Sequence, residues 1–273
     1  MDNSKFLIVV VIYECVIEES ITFKKLLAIR EKVCSFPEIL IYDNSHHSQF
    51  SVKYLQSVAF YKHNQANGGV AGAYNYALSL GKIERKEWLI LFDQDTDLSL
   101  DFFERLERSL LLYPQQELFC PIVLSAGKIV SPTYYLLEKA IKPKRLNTGL
   151  VNSLYYTVIN SGLTIQLGLM ESLGGYDDDL PLDLSDHNFF RKYKKENKKF
   201  VLTEAVNLHD LSSESDTSFE KVYGRFKKYY SSSLIYSHKI HNPFPLFWLC
   251  LRAIKLTFKF NTFEFVKFLF VKK

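Results

Sequence analysis

Methionine and tryptophan occur twice each and cysteine four times in 273 residues, and the scarce types are arranged to exclude several classes of protein. Cys15, Cys34, Cys120 and Cys250 form no Cys-x-x-Cys pair and show no metal-ligand spacing, so reduced thiols in a cytosolic compartment are expected. Each lies in an apolar stretch of sequence, where a small thiol is expected to pack. Only four residues precede the first apolar run, which leaves no room for a signal peptide's charged and apolar regions. The uncharged stretch 240–251 holds twelve residues, with His241, Asn242 and two prolines, whereas a spanning helix needs about 20 apolar ones. No internal repeat and no low-complexity linker is present.

The apolar content, 47% with 15% aromatic, suffices for one sizeable core plus an appendage. Charge is distributed unevenly. From Lys239 onward seven Lys or Arg face Glu264 alone, leaving 27 basic against 29 acidic residues in the first 238. A mildly acidic body with a basic, aromatic tail predicts that the tail meets something anionic.

Residues 5–13 (KFLIVVVIY), 38–42 (EILIY) and 88–92 (WLILF) are unalternating apolar runs of the kind that fills strands covered on both faces. Segments with helical spacing, 21–33, 70–80 and 100–112, separate or follow them. An α/β fold with a central, mostly parallel sheet is the expectation. In the second half, 153–167 predicts one or two strands, Gly174 and Gly175 a turn, and 186–199 a charged helix.

In such sheets the ligand site opens at the carboxyl ends of the strands. Two of the three apolar runs end there in acid, one at Asp43-Asn44-Ser45 and the other at Asp93-Gln94-Asp95. A single Asp at a strand end is more often a turn or cap residue. Two carboxylates two residues apart, however, can address one hard cation, and Mg²⁺ or Mn²⁺ suits them better than zinc. Between these runs lies a small-residue helix start, Asn67-Gly68-Gly69-Val70-Ala71-Gly72-Ala73-Tyr74-Asn75. It lets backbone approach a phosphate or ribose, or simply packs a helix tightly on the sheet. It has neither the Lys-Ser/Thr of a P-loop nor the first-strand position of a dinucleotide fingerprint.

Together these segments resemble glycosyltransferase family 2, and within it the rhamnosyltransferase-like branch of bacterial polysaccharide synthesis, over roughly residues 5–240. Tyr13 resembles the aromatic of the opening strand that packs by the nucleotide base, and Asp43 the carboxylate that reads the pyrimidine. Asn67, Gly69 and Asn75 fall on the family's small-residue helix start. Asp93 and Asp95 fall on its Asp-x-Asp metal motif. The resemblance implies a GT-A fold over residues 1–238, with 239–273 as a basic aromatic helical tail. It implies a donor nucleotide sugar, dTDP- or UDP-linked, bound through Mg²⁺ or Mn²⁺.

Later motifs are altered. Asp183 and Asp186 resemble the branch's paired acids, of which the second holds the general-base position, but Asn188 stands where an acid is usual. Their ordinary alternative is capping of the helix that follows. His209 resembles the His that completes the metal shell, without the Gly that normally follows. Arg225 resembles an arginine contacting phosphate or acceptor; a solvated basic helix face is the alternative. The implied reaction is an inverting sugar transfer to a saccharide acceptor carried on polyprenyl diphosphate. A nucleotidyltransferase would carry a basic Gly-rich loop where this chain has Glu14-Cys15-Val16-Ile17-Glu18-Glu19. A non-catalytic sugar-nucleotide binder would not need the Asp93 and Asp95 pair.

In the tail, Arg252, Lys255 and Lys259 are spaced to share one helical face beside a broad apolar one. That pattern predicts a helix lying on an anionic membrane surface, with packing against the body or a dimer contact as the alternative. The expected location is cytoplasmic, peripheral at the inner face of the plasma membrane. Nucleic acid is not expected, because apolar residues outnumber the cations and no nucleic-acid module accompanies them.

Overall fold

A computed structural model describes residues 2–50, 53, 57–196, 199–209 and 218–270. Strand β1 (Phe6–Ile12) is buried at every position. It pairs in parallel with β2 (Glu38–Asp43) on one side and β4 (Trp88–Asp93) on the other, Val9 standing level with Leu40 and Leu91. Beyond β2 lies β3 (Phe60–His63), also parallel. On the other side β12 (Leu163–Gln166) inserts antiparallel between β4 and β6 (Leu118–Ser125). Next come β13 (Lys199–His209), parallel to β6, and the antiparallel edge strand β10 (Gly149–Asn152). Six of the eight strands along this path therefore point one way, as the apolar runs predict.

The unalternating runs are explained by helices on both faces. Leu7, Val9 and Val11 pack toward α2 (Gly69–Ile83), through Ala71, Ala73, Tyr74 and Ala77. Ile8, Val10 and Ile12 point the other way, into α1 (Ile21–Arg30) and α3 (Phe102–Leu112). Each such side chain taken fully out of water stabilises the fold by about 1.5–3 kcal/mol, so the three central strands anchor the domain. Short pieces complete it: β5 (Thr96–Asp97), β7 (Lys128–Ser131), α4 (Leu167–Ser172) and α5 (Ser185–Glu196). Gly174 and Gly175 form the expected turn, both with positive φ.

A second, three-stranded sheet contains β8 (Thr133–Leu136), β9 (Lys139–Ile141) and β11 (Tyr156–Thr157). The β8–β9 hairpin turns on Leu137 and Glu138, both with left-handed backbone (φ 50° and 60°). A two-residue turn of this hand normally carries Asn-Gly. Here outside contacts hold it: Leu137 O accepts from Trp248 Nε1 at 2.7 Å, and Glu138 accepts from Arg191 at 2.7 Å, Tyr236 at 2.9 Å and Tyr135 at 3.0 Å.

The chain closes with three helices, α6 (Phe219–Ile240), α7 (Phe244–Phe260) and α8 (Glu264–Phe270). Leu249, Ala253 and Leu256 of α7 and Phe265 of α8 gather with Phe226 of α6 in a core of their own. The tail is thus helical and half-packed. Phe247, Leu251, Ile254 and Phe258 remain exposed along its outer side. No helix among the described residues is long and apolar enough to cross a membrane. The expectation for the cysteines holds only in part: Cys120 is buried, but Cys34 lies exposed beyond the end of α1 and Cys250 exposed on α7.

Candidate functional site

The carboxyl ends of β1 and β4 open into a cleft of about 980 Å³. Tyr13, Asn67, Gly69, Asp93, Asp95, Asp183, Asp186, His209 and Arg225 all line it, although they come from six separate segments of the chain.

The acidic tip is built by three elements. β4 ends at Asp93, and α1 grips the turn that follows: Ser20 Oγ donates to Gln94 O at 2.8 Å, while Thr22 Oγ1 donates to Asp93 O at 2.5 Å and accepts from Thr96 N at 2.9 Å. The turn leads into β5, which pairs with the end of β13 so that Thr96 stands level with His209. This pairing brings a histidine from the far end of the chain to the tip. Asp93, Asp95 and His209 each offer a ligand atom, all within 4.8 Å of one another. His209 Nδ1 lies 3.5 Å from Asp95 and 3.1 Å from Ser161 Oγ. Burial pushes Asp93 up to about 6, with His209 opposing the rise and the Asp95 charge adding to it. Two carboxylates that repel each other beside an imidazole fit one divalent cation, which would relieve that repulsion.

Asp186 stands in the first turn of α5, on another wall of the cleft. Asn160 Nδ2 donates to it at 2.5 Å, and Asn160 Oδ1 in turn accepts from Tyr176 at 2.6 Å. Tyr176 is itself clamped, stacked on Phe189 with ring centroids 4.3 Å apart. Burial, then the charges of Asp93 and Asp183, hold the Asp186 carboxyl well above the usual range. Asp183 is different. It is paired with Arg225 at 2.8 Å, while its second oxygen is buried with no hydrogen-bond partner. Burial also raises its pKa, and Arg225, Arg252 and Lys228 oppose the rise.

Tyr13 is exposed at the rim, its backbone N–H held by Gln94 Oε1 at 2.8 Å. Asn67 has positive φ and accepts from the Gly69 N–H at 3.1 Å, which fixes the start of α2. At Gly69 (φ +65°) a Cβ would sit 2.1 Å from Pro181 O, so this glycine admits the backbone of the opposite wall. Two predicted residues lie outside the cleft. Asp43 is fully buried and accepts from Gln49 N, Ser45 N and Tyr61 Oη; burial pushes its pKa up, but these hydrogen bonds prevail and hold it below the usual value. Its neighbour Asn44 reaches the cleft instead. Asn75 bonds both backbone groups of Tyr176, donating to its carbonyl and accepting from its N–H, and also donates to Asp178. Asp210, beside His209, lies outside the described residues.

Sequence reasoning passed over Gln94, Asn160 and His187, all of which line the cleft. Gln94 sits inside the Asp-Gln-Asp motif and was readable there. Asn160 and His187 carry no spacing signal. His187 accepts or donates at Thr157 Oγ1 (2.9 Å) and stacks on Tyr135, and burial lowers its pKa to about 4, with Lys194 adding to the fall and Glu138 opposing it.

No protein-family model and no curated protein matches the chain. Among solved structures it is similar to S. aureus TarS. Against TarS 1-349 the TM-score is 0.54 at 14% identity, covering 84% of this chain and 64% of that one. A longer TarS structure gives 0.55 at 16% identity and is covered to 39%, and TarS 1-349 in complex with UDP-GlcNAc gives 0.55 at 15%, with 83% and 66% covered. The chain thus spans less than two thirds of the first of these proteins. What is shared is a fold, the GT-A fold of glycosyltransferases.

Proposed function

We propose that the protein is a metal-dependent, inverting glycosyltransferase that moves a sugar from a nucleoside diphosphate to a saccharide acceptor. The observation that carries this reading is the convergence of Asp93, Asp95 and His209 in one cleft with Asp186, in a fold whose neighbours include TarS structures with UDP and UDP-GlcNAc. Asp93, Asp95 and His209 would hold Mg²⁺ or Mn²⁺, which supplies charge stabilisation for a departing diphosphate. Tyr13, Asn67 and Gly69 line the cleft where a nucleotide would lie, and Asp43 and Asn75 position that wall from behind.

In the reaction the acceptor hydroxyl oxygen bonds to the anomeric carbon while the bond from that carbon to the diphosphate oxygen breaks. Asp186 takes the hydroxyl proton. A single displacement inverts the centre. Asp183, fixed by Arg225, shapes the acceptor side of the cleft next to Asp186. The Asp-Gln-Asp resemblance favours a rhamnosyl donor and the TarS complexes favour a UDP donor. A thermal-shift panel of dTDP-, UDP- and GDP-sugars with Mn²⁺, followed by turnover with the best binder, tests the reading, since a ligand that binds only the native state raises its stability. No shift with any of them removes it.

The acceptor in this reading is carried on a polyprenyl diphosphate, and residues 239–273 rest on the anionic inner face of the membrane. The exposed row of Phe247, Leu251, Ile254 and Phe258, with Lys255 and Lys259 exposed beside it, supports that placement.

A further inference from the structure

A second cavity, of about 380 Å³, lies against the first, sharing Leu184 and His187 with it. Its far side is made by the β8–β9 hairpin and by α7, and three cations line it: Lys139, Arg252 and Lys255. Among the described residues none of the three has a carboxylate within 4 Å. The one acid in the wall, Glu138, is already satisfied by Arg191, Tyr135 and Tyr236. Two of the cations are pre-placed by aromatic faces, Lys139 Nζ 4.0 Å above Trp248 and the Arg252 guanidinium 4.5 Å above Tyr229.

Unneutralised cations gathered in a concave site favour an anion with several oxygens, and a diphosphate suits three of them. The helix that supplies Arg252 and Lys255 also supplies Leu251 in the cavity wall, and from there the apolar row runs outward through Ile254 to Phe258. An anion bound here therefore has a greasy track leading away from it on one side and the candidate transfer cleft on the other. The hairpin that contributes Lys139 is held in an unfavourable turn by Trp248 and Glu138, so the cation is fixed in position rather than trailing from a loop.

We infer that the cavity formed by Lys139, Trp248, Arg252 and Lys255 binds the diphosphate of an isoprenoid-linked acceptor, placing the attached sugar in the neighbouring cleft. The inference rests on the transferase reading for the nature of the attached group. Its direct test does not require turnover.

Trp248 lies in the cavity and is one of two tryptophans, so Trp88→Phe leaves it as the reporter. Titrating that full-length variant with farnesyl diphosphate is expected to change its emission saturably, with inorganic pyrophosphate binding more weakly. Adding Lys139→Ala and Lys255→Ala should weaken the binding by roughly tenfold or more, given the usual worth of hydrogen bonds to charged groups. Affinity for UDP with Mn²⁺ should stay the same. Calorimetric titration of the unsubstituted chain and of the Lys139→Ala, Lys255→Ala pair gives the same comparison without touching Trp88. A silent Trp248, or equal affinity with and without the two lysines, overturns the assignment. Pyrophosphate binding as tightly as farnesyl diphosphate overturns the isoprenoid part. Failure to bind UDP would sink the transferase reading separately, leaving the Trp248 titration to decide for the cavity alone.

Discussion

Asn160 donates to the Asp186 carboxylate at 2.5 Å, and it is held for that task by Tyr176, which is stacked on Phe189 and tilted against Tyr74. The candidate base is thus positioned by a residue 26 positions earlier in the chain. Asp186→Asn is expected to cost about 10²–10⁴-fold in turnover with little change in donor affinity. If Asp183→Asn is instead the inactive variant and Asp186→Asn the active one, the two roles are reversed.

The pH profile follows from the same contacts. Burial, then the charges of Asp93 and Asp183, hold Asp186 above the usual carboxylate range, and the backbone of Asn160 opposes the rise. The hydrogen bond that the Asn160 side chain donates to the carboxylate favours its charged form as well, and this is the contact that Asn160→Ala removes. The acidic limb of kcat/KM, where Asp186 gains its proton, should therefore move to lower pH in Asp183→Asn and to higher pH in Asn160→Ala. Profiles of the three proteins that superimpose would exclude Asp186 as the titrating base.

For the acidic tip, Asp95→Ala and His209→Ala should each abolish or sharply weaken Mn²⁺-dependent binding of UDP or dTDP while leaving the thermal transition near that of the parent. Calorimetric titration with and without Mn²⁺ measures it. Unchanged metal-dependent affinity in both variants would remove these residues from the metal site.

His187 makes a prediction about stability. Its pKa falls from 6.5 unfolded to about 4 folded, chiefly through burial, with Lys194 adding and Glu138 opposing. Between those values the unfolded chain binds more protons than the folded one, so stability rises with pH across that window and is lost as pH falls through it. At about 1.36 kcal/mol per unit the loss is at most about 3 kcal/mol. Urea titrations at pH 4 and 7 should show a smaller difference between the two pH values in His187→Gln than in the parent; an equal difference contradicts the assignment.

Membrane docking is tested without truncation. Ile254→Asp with Phe258→Asp, both exposed, should reduce flotation with phosphatidylglycerol liposomes several-fold at unchanged thermal stability. Equal flotation of the two proteins, or none by either, argues for a tail that only packs.

Much of the first half was legible because its strands are covered on both faces and so spell themselves as apolar runs. Leu7 and Ile8 point to opposite helices, yet neither can be polar. Asp93 and Asp95 were legible from their spacing at a strand end and Asp186 only through the family resemblance, and the cleft gathers all three. The second half was harder. β12 enters the sheet between two much earlier strands, Thr164 standing level with Ile90 on one side and Phe119 on the other, and nothing in its four residues announces which strands flank it. Asn160 and Glu138 act through side-chain contacts with partners distant in sequence, and they have no period. The small residues around Gly69 were open to two readings, approach to a phosphate or tight packing, and the contact that Gly69 itself makes is a packing one, with the Pro181 carbonyl.

Helix α6 spans 22 residues, about 33 Å at 1.5 Å per residue. Along that one rod Arg225 meets Asp183 in the cleft, Phe226 meets the α7 and α8 core, Tyr236 meets Glu138 in the hairpin, and Lys239 meets Asp177 and Asp179 beside Asn75. It works as an axle shared by the cleft wall, the hairpin and the packed tail. A chain cut after His238 would lose Lys239 and the cover over Phe226 together, so weakened activity in such a fragment would report a loosened bearing before it reported a missing anchor.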